Sequence, residues 1–281
     1  MYGLKINYRP LLKNKTGDNT MYILGTGESV NEYTKSDWER IRQGYSVGLN
    51  MWVFHDFIPN ILQLELLSEN DSYLENLIQI FERRQKEYAN TKFFFKSNYL
   101  LQWRYKNIHK FFRQIPKSLK ENIYLIADFQ VPGSDQSEFT RSVRWLDAIG
   151  FFQAKHKFHP FTAQPRASLG LAVLFSIQAG FKHIALCGVD LNNDDHFYDN
   201  TDYYFDKYDI KYTRSPKKIS MHLTNDENFS QLTISRVLMI LYQEVCKPRG
   251  IQMSVGSRNS ALFPLLPYTF INKFDANLKA I

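Results

Sequence analysis

Two cysteines, Cys187 and Cys246, are all that a chain of 281 residues carries. No disulfide framework is therefore expected. Both fall in apolar patterns and read as reduced core thiols, the habit of cytoplasmic proteins. No Cys/His cluster has zinc spacing. No apolar run approaches eighteen residues, so no membrane-spanning helix is expected. The segment Met1-Tyr2-Gly3-Leu4-Lys5 has no apolar stretch of the kind a secretory leader needs. No D-x-D triplet occurs, so the usual metal anchor for nucleotide diphosphates is missing. The dinucleotide fingerprint is missing as well. A third glycine after Gly25-Thr26-Gly27 would fall at position 30, which is Val30, and the next strand ends in Asn50 rather than in an acid for a ribose. Lys and Arg exceed the acids by seven, but no RNA-binding signature accompanies them, and no nucleic-acid partner is expected.

Strand and helix signals alternate along the chain. Strands are expected at Met21–Leu24, Tyr45–Asn50, Ile61–Leu67, Thr91–Lys96, Ile123–Phe129, His183–Asp190 and Ile251–Val255. Helices are expected near Trp38–Arg42, then at Tyr73–Tyr88, Tyr99–Lys120, Glu138–Ile149, Ser168–Ala179 and Phe229–Lys247. This order predicts a single Rossmann-like α/β domain with a mostly parallel twisted sheet flanked by helices. Residues 1–191 and 229–281 would form that domain. The polar stretch 192–228 has no sustained period and would form a small lid subdomain.

In such sheets ligands bind beyond the carboxyl ends of the strands. The candidates there are the glycine turn Gly25, Thr26, Gly27 and Ser29, then Asn50, Ser168, and the run Gly188, Asp190, Leu191 and Asn192. A glycine turn feeding a helix start can hold a phosphate, though two glycines also make an ordinary turn. Ser168 reads plainly as an N-cap, and a helix N-terminus behind it attracts anions. Seven Asp lie between 190 and 209 and five Tyr between 198 and 212, which reads as a solvated acidic loop or as a cover for a ligand. His222 is a lone histidine late in that loop.

Taken together these residues resemble the bacterial sialyltransferases of glycosyltransferase family 42 and the related Kdo transferases. The resemblance rests on Gly25-Thr26-Gly27-Glu28-Ser29, Asn50, Ser168-Leu169-Gly170, Gly180-Phe181-Lys182, Gly188-Val189-Asp190, Tyr198 eight residues beyond Asp190, His222, and Asn259-Ser260 after the last strand. The run His196-Phe197-Tyr198-Asp199 is closer to the Kdo branch. Thr26 stands for the family's Asn, and Asn192 and Ile219 stand where sialyltransferases carry tyrosines. The family's third-strand Asn has no single counterpart within Leu67-Ser68-Glu69-Asn70.

The resemblance implies a GT-A-like variant of this fold, with 1–191 and 229–281 as the nucleotide-sugar-binding domain and 192–228 as the lid on the acceptor side. It also implies an inverting transfer of a sialic-type acid or Kdo from its CMP-activated form to a glycan hydroxyl of lipopolysaccharide, lipooligosaccharide or capsule. His222 would be the general base, and Tyr198 would donate to the departing phosphate. The nucleotide would lie among Gly25–Ser29, Asn50, Ser168 and Gly188–Asn192, with Arg166, Asn259 and Ser260 further out. A single phosphate leaves, so no metal or other cofactor is expected. A metal-dependent enzyme like the pterin diphosphokinases, and a non-catalytic nucleotide-binding module of a polysaccharide assembly complex, are the alternatives. A homo-oligomer is compatible with the sequence. The basic excess is concentrated in 96–120, where Lys96, Arg104, Lys106, Lys110, Arg113, Lys117 and Lys120 occur without an acid. That segment reads as a solvated helix face or as a contact with an anionic membrane on its cytoplasmic side.

Overall fold

A computed structural model describes residues 19–65, 71–96, 106–153, 161–211, 222–228 and 231–270. Its frame is one eight-stranded sheet in which every strand pairs in parallel. The strands are β1 (Thr20–Leu24), β2 (Tyr45–Leu49), β3 (Ile61–Gln63), β4 (Lys92–Lys96), β5 (Ile123–Gln130), β6 (Phe161–Gln164), β7 (His183–Cys187) and β8 (Gln252–Val255). Their order across the sheet is β6-β5-β4-β3-β2-β1-β7-β8. The chain first steps outward from β1 to β6, then returns to the other side of β1. The topological switch therefore lies between β1 and β7, the place where such sheets leave a crevice.

Two apolar layers sandwich the sheet, as the alternation of β1 requires: Met21 and Ile23 enter one core, Tyr22 and Leu24 the other. The first core is closed by α5 (Gln136–Ala148), α6 (Ser168–Gln178) and α8 (Ile234–Leu241). The second takes α1 (Lys35–Gln43), α2 (Asp71–Arg83), α3 (Lys106–Gln114) and the short α4 (Lys117–Lys120). Residues 197–210, within the stretch expected as a lid, pack into this second core. Phe197, Tyr198, Phe205, Tyr208 and Ile210 are buried there, and α7 (Tyr203–Lys207) is tied down by Lys207 Nζ and Tyr203 Oη on Asp56, at 2.6 and 2.7 Å. The aromatic side chains of this stretch bury more apolar surface than a solvated cover could, which accounts for its place. Residues 212–221 lie outside the described residues.

Other expectations are corrected. β3 is shorter than Ile61–Leu67 and ends at Gln63. The single helix expected over Tyr99–Lys120 is two elements, because Pro116 cannot continue α3 and stands as the N-cap of α4; residues 97–105 lie outside the described residues. Lys96 does not join a basic surface. It is 5% exposed and pairs with Glu65. Edge strand β6 was not foreseen, since four residues between Pro160 and Pro165 give no usable period. The strand expected through Asp190 stops at Cys187, and Gly188 turns the chain with φ +63°.

Candidate active site

At the switch point two glycines face each other. The Gly25 N–H donates to Cys187 O at 2.7 Å and the Gly27 N–H to Gly188 O at 2.8 Å. A Cβ on Gly25 would stand 2.5 Å from Gly188 O, and one on Gly188 would collide with Gly25 O. Only glycine permits this approach, and at Gly188 the left-handed backbone demands it too. Beneath the turn lies Asp190, whose Oδ2 accepts the Ser29 N–H at 3.0 Å and whose Oδ1 accepts the Ser29 hydroxyl at 2.5 Å. Tyr33 Oη accepts the Gly188 N–H at 2.9 Å, and burial holds the Tyr33 phenol well above its ordinary pKa, so it stays neutral.

Above this floor is a cavity of about 300 Å³. Its walls include Gly25, Thr26, Gly27, Asn50, Ser168, Gly188, Asp190, Leu191 and His222, so the structure brings most of the expected residues together. Asn50 takes φ +51° at the end of β2, and its Oδ1 accepts the Glu65 N–H at 3.0 Å. Leu191, at φ +64°, gives its carbonyl to Asn225 Nδ2 at 3.3 Å. Asn225 Oδ1 accepts the Ser235 N–H at 3.1 Å, and so the turn that carries His222 is fixed to both β7 and α8. His222 Nδ1 lies 2.8 Å from Thr224 Oγ1 and accepts the Thr224 N–H at 3.3 Å. Burial lowers the His222 pKa, Asp194 opposes that shift and His196 adds to it.

Ser168 differs from its expected role. The N-cap of α6 is Ala167, at φ +35° and without a side-chain cap, and Arg166 before it has φ +122°. Ser168 is therefore the first helical residue. Its Oγ is buried without a partner beside the helix N-terminus, while Gln63 Nε2 donates to its carbonyl at 2.8 Å. A buried hydroxyl with no bond is costly unless a ligand supplies one.

The remaining expected residues are not on the wall. Ser29 lies beneath it. Tyr198 is 2% exposed and packs against His196 with ring centroids 5.0 Å apart, and against Phe54, Phe197 and Phe205. It does not line the cavity, and the aromatic cluster claims its ring. Asn192 Nδ2 donates to Asn259 O at 2.6 Å and Ser260 Oγ to Val189 O at 2.7 Å, so these three brace the β7 end from behind. Arg166 is half-buried and also off the wall.

The wall also holds residues that sequence reasoning did not single out: Glu65, Asn193, Asp194, Asp195, His196 and Thr224. His196 Nδ1 lies 3.1 Å from Thr26 Oγ1, and the Phe197 N–H donates to Thr26 O at 2.9 Å. The adjacency of His196 to the Asp194-Asp195 pair was the available signal. No Lys or Arg is among the described residues that line the cavity. The same residues contain no group of three His, Cys, Asp or Glu arranged to hold a metal ion.

No known sequence family and no curated protein matches the chain. Solved structures similar to it include the monofunctional α-2,3-sialyltransferase Cst-I of Campylobacter jejuni, at 14% identity and TM-score 0.46, over 92% of this chain and 84% of that one. They also include the sialyltransferase CstII of Campylobacter jejuni in complex with cytidine-5'-monophosphate, at 15% identity and TM-score 0.45, over 90% of this chain and 86% of that one. Likeness at this level leaves the assignment of function to the residues of the cavity themselves.

Proposed function

We propose that the chain is an inverting glycosyltransferase that moves a sialic-type acid or Kdo from its CMP-activated form to a glycan hydroxyl on lipopolysaccharide, lipooligosaccharide or capsule. One observation carries this reading. The paired-glycine floor, the unpartnered Ser168 Oγ at a helix N-terminus, and the half-buried His222 open into one cavity at the sheet's switch point. The close backbone approach at Gly25 and Gly188 leaves room for a flat nucleotide. The α6 start offers N–H groups and Ser168 Oγ to an anionic oxygen, whether phosphate or carboxylate. His222 takes the acceptor hydroxyl proton as that oxygen attacks the anomeric carbon and CMP departs. The leaving group bears one phosphate, and the reaction is proposed to proceed without a metal. Arg166, Asn259, Ser260 and Tyr198 serve as supports around the site.

A thermal-shift panel of CMP, CDP, UMP, GDP, NAD and S-adenosylmethionine tests the donor class, with stabilisation by CMP alone expected. Hydrolysis of CMP-sialic acid and of CMP-Kdo by the pure protein then distinguishes the two sugars. Activity that survives EDTA is expected, whereas loss on chelation would favour the diphosphokinase alternative. Binding of CMP without hydrolysis of either donor would leave a non-catalytic nucleotide-binding module.

A further inference from the structure

Sheets of this kind commonly place an acid at the end of the second strand, where it accepts ribose hydroxyls. Here that position is Asn50, and its Oδ1 is committed to the Glu65 N–H at 3.0 Å. The same bond draws the chain beyond β3 alongside the end of β2 and brings Glu65 to the cavity wall. Its carboxylate is held in place. Oε1 accepts from Lys96 Nζ at 2.5 Å, and the two side chains are 14% and 6% exposed. Lys96, the last residue of β4, does not line the cavity, so it neutralises Glu65 from behind.

A third group belongs to this cluster. Asp128 on β5 has Oδ1 buried without a partner, and burial raises its pKa against the pull of Lys96, with Glu65 adding to the rise. One ammonium thus acts on two carboxyl groups, and it pairs with Glu65. The arrangement keeps a charged acceptor at a nearly dry wall, where an unpaired carboxylate would be costly.

A carboxylate offers about four lone-pair sites, and Lys96 occupies one direction. Hydroxyls on adjacent carbons are a natural match for the paired oxygens of a carboxylate. The rest of the wall points the same way. With Asp194 and Asp195 present and no cationic side chain among the described lining residues, its side chains favour hydroxyl donors. We propose that Glu65 holds a vicinal diol of the bound ligand, supplying from beyond β3 the acid that β2 lacks. This rests on the cavity being a nucleotide-sugar site. The diol belongs either to the ribose or to the sugar being transferred.

Isothermal titration tests it on two arms. The first compares CMP with 2′-deoxy-CMP and 3′-deoxy-CMP. The second compares CMP-sialic acid with an analogue whose exocyclic glycerol chain is truncated. Removing a hydroxyl bound to a charged acceptor should weaken wild-type binding by about ten- to a hundredfold on one arm. Glu65→Gln should shrink that ratio to below about threefold. Because Glu65→Gln leaves the Lys96 ammonium without its anion, the double variant Glu65→Gln/Lys96→Met, neutral and of similar volume, is measured beside it. Discrimination on the first arm assigns the diol to the ribose and on the second to the sugar. Equal wild-type affinities on both arms, or discrimination that persists in both variants, would overturn the role of Glu65 while leaving the cavity's function standing. A wild type that binds no cytidine nucleotide at all would overturn the function and this proposal with it.

Discussion

Ser29 and Asp190 are joined under the floor of the cavity: both the Ser29 N–H and its hydroxyl donate to the Asp190 carboxylate, at 3.0 and 2.5 Å. The two residues lie on opposite sides of the switch point and are 3% and 5% exposed. Their bond sets the height of the glycine turn, since a Cβ on Gly27 would stand 2.5 Å from Asp190 Oδ2. Asp190 therefore positions the glycine turn. Asp190→Ala strands two buried donors and should cost about 2–3 kcal/mol, with Asp190→Asn costing less because one carbonyl remains to accept. Urea denaturation should show a lower midpoint at unchanged slope. An Asp190→Ala protein as stable as the wild type would remove this role.

The frame of the site was legible before the structure because its residues obey backbone rules. Gly25, Gly27 and Gly188 mark strand ends, Asn50 takes a left-handed turn, and the unbroken apolar run of α6 declares a buried helix. What was not legible depended on partners distant in sequence. Glu65 reaches the wall only because Asn50 captures its N–H, and Lys96 is buried only because Glu65 meets it. Tyr198 matched a pattern by spacing, yet the aromatic residues 197–208 gain more by packing on the sheet than by facing a ligand. The helix break at Pro116 was readable in the residues themselves and was outweighed by the period on either side of it.

Lys110, Arg113 and Lys117 remain exposed on α3 and α4, while Phe111, Phe112, Ile115 and Leu119 face the core. If this face meets an anionic bilayer, sedimentation with phosphatidylglycerol vesicles should exceed that with phosphatidylcholine. Neutralising all three residues to Gln should weaken it by up to about a hundredfold, at roughly 1 kcal/mol per cation near the surface. Lys110 already pairs with Glu75 at 3.0 Å, so it should contribute least. Equal sedimentation with both lipids would make the stripe a solvated face only.

His55 gives the fold a pH dependence. Its ring lies 4.5 Å from Trp52 and packs against Trp38, and its Nδ1 accepts the Phe57 N–H at 2.9 Å. Burial lowers its pKa to about 4, helped by Arg84 and opposed by Asp56. The unfolded chain binds this proton near pH 6.5 and the folded chain only near 4. The contribution is therefore complete above pH 6.5 and is lost as pH falls from 6.5 toward 4. The loss approaches about 3 kcal/mol. Denaturation curves at pH 7.5 and 4.5 should show it, and His55→Gln should flatten the difference even if it lowers stability at both pH values.

The position of the proton on His222 decides whether the ring can act as a base. Its Nδ1 faces the Thr224 hydroxyl at 2.8 Å and accepts the Thr224 N–H at 3.3 Å. An amide N–H can only donate, so the resting neutral ring carries its proton on Nε2. A base acting through Nε2 must first present a lone pair there. The proton must then sit on Nδ1, with the Thr224 hydroxyl turned to accept it. Thr224→Val removes that acceptor, retains the N–H, and should hold the ring as the Nε2–H tautomer. Transfer should fall on the order of tenfold or more, and Thr224→Ser should restore it. Nitrogen-15 spectra of labelled histidine report the tautomer directly. Because burial lowers the His222 pKa, the rate should be flat above pH 7 and fall only as pH drops below 6.5. Asp194→Asn removes the opposing charge and should move that acid limb lower still. A Thr224→Val protein with full rate and an unchanged tautomer would show that His222 needs no help from its neighbour.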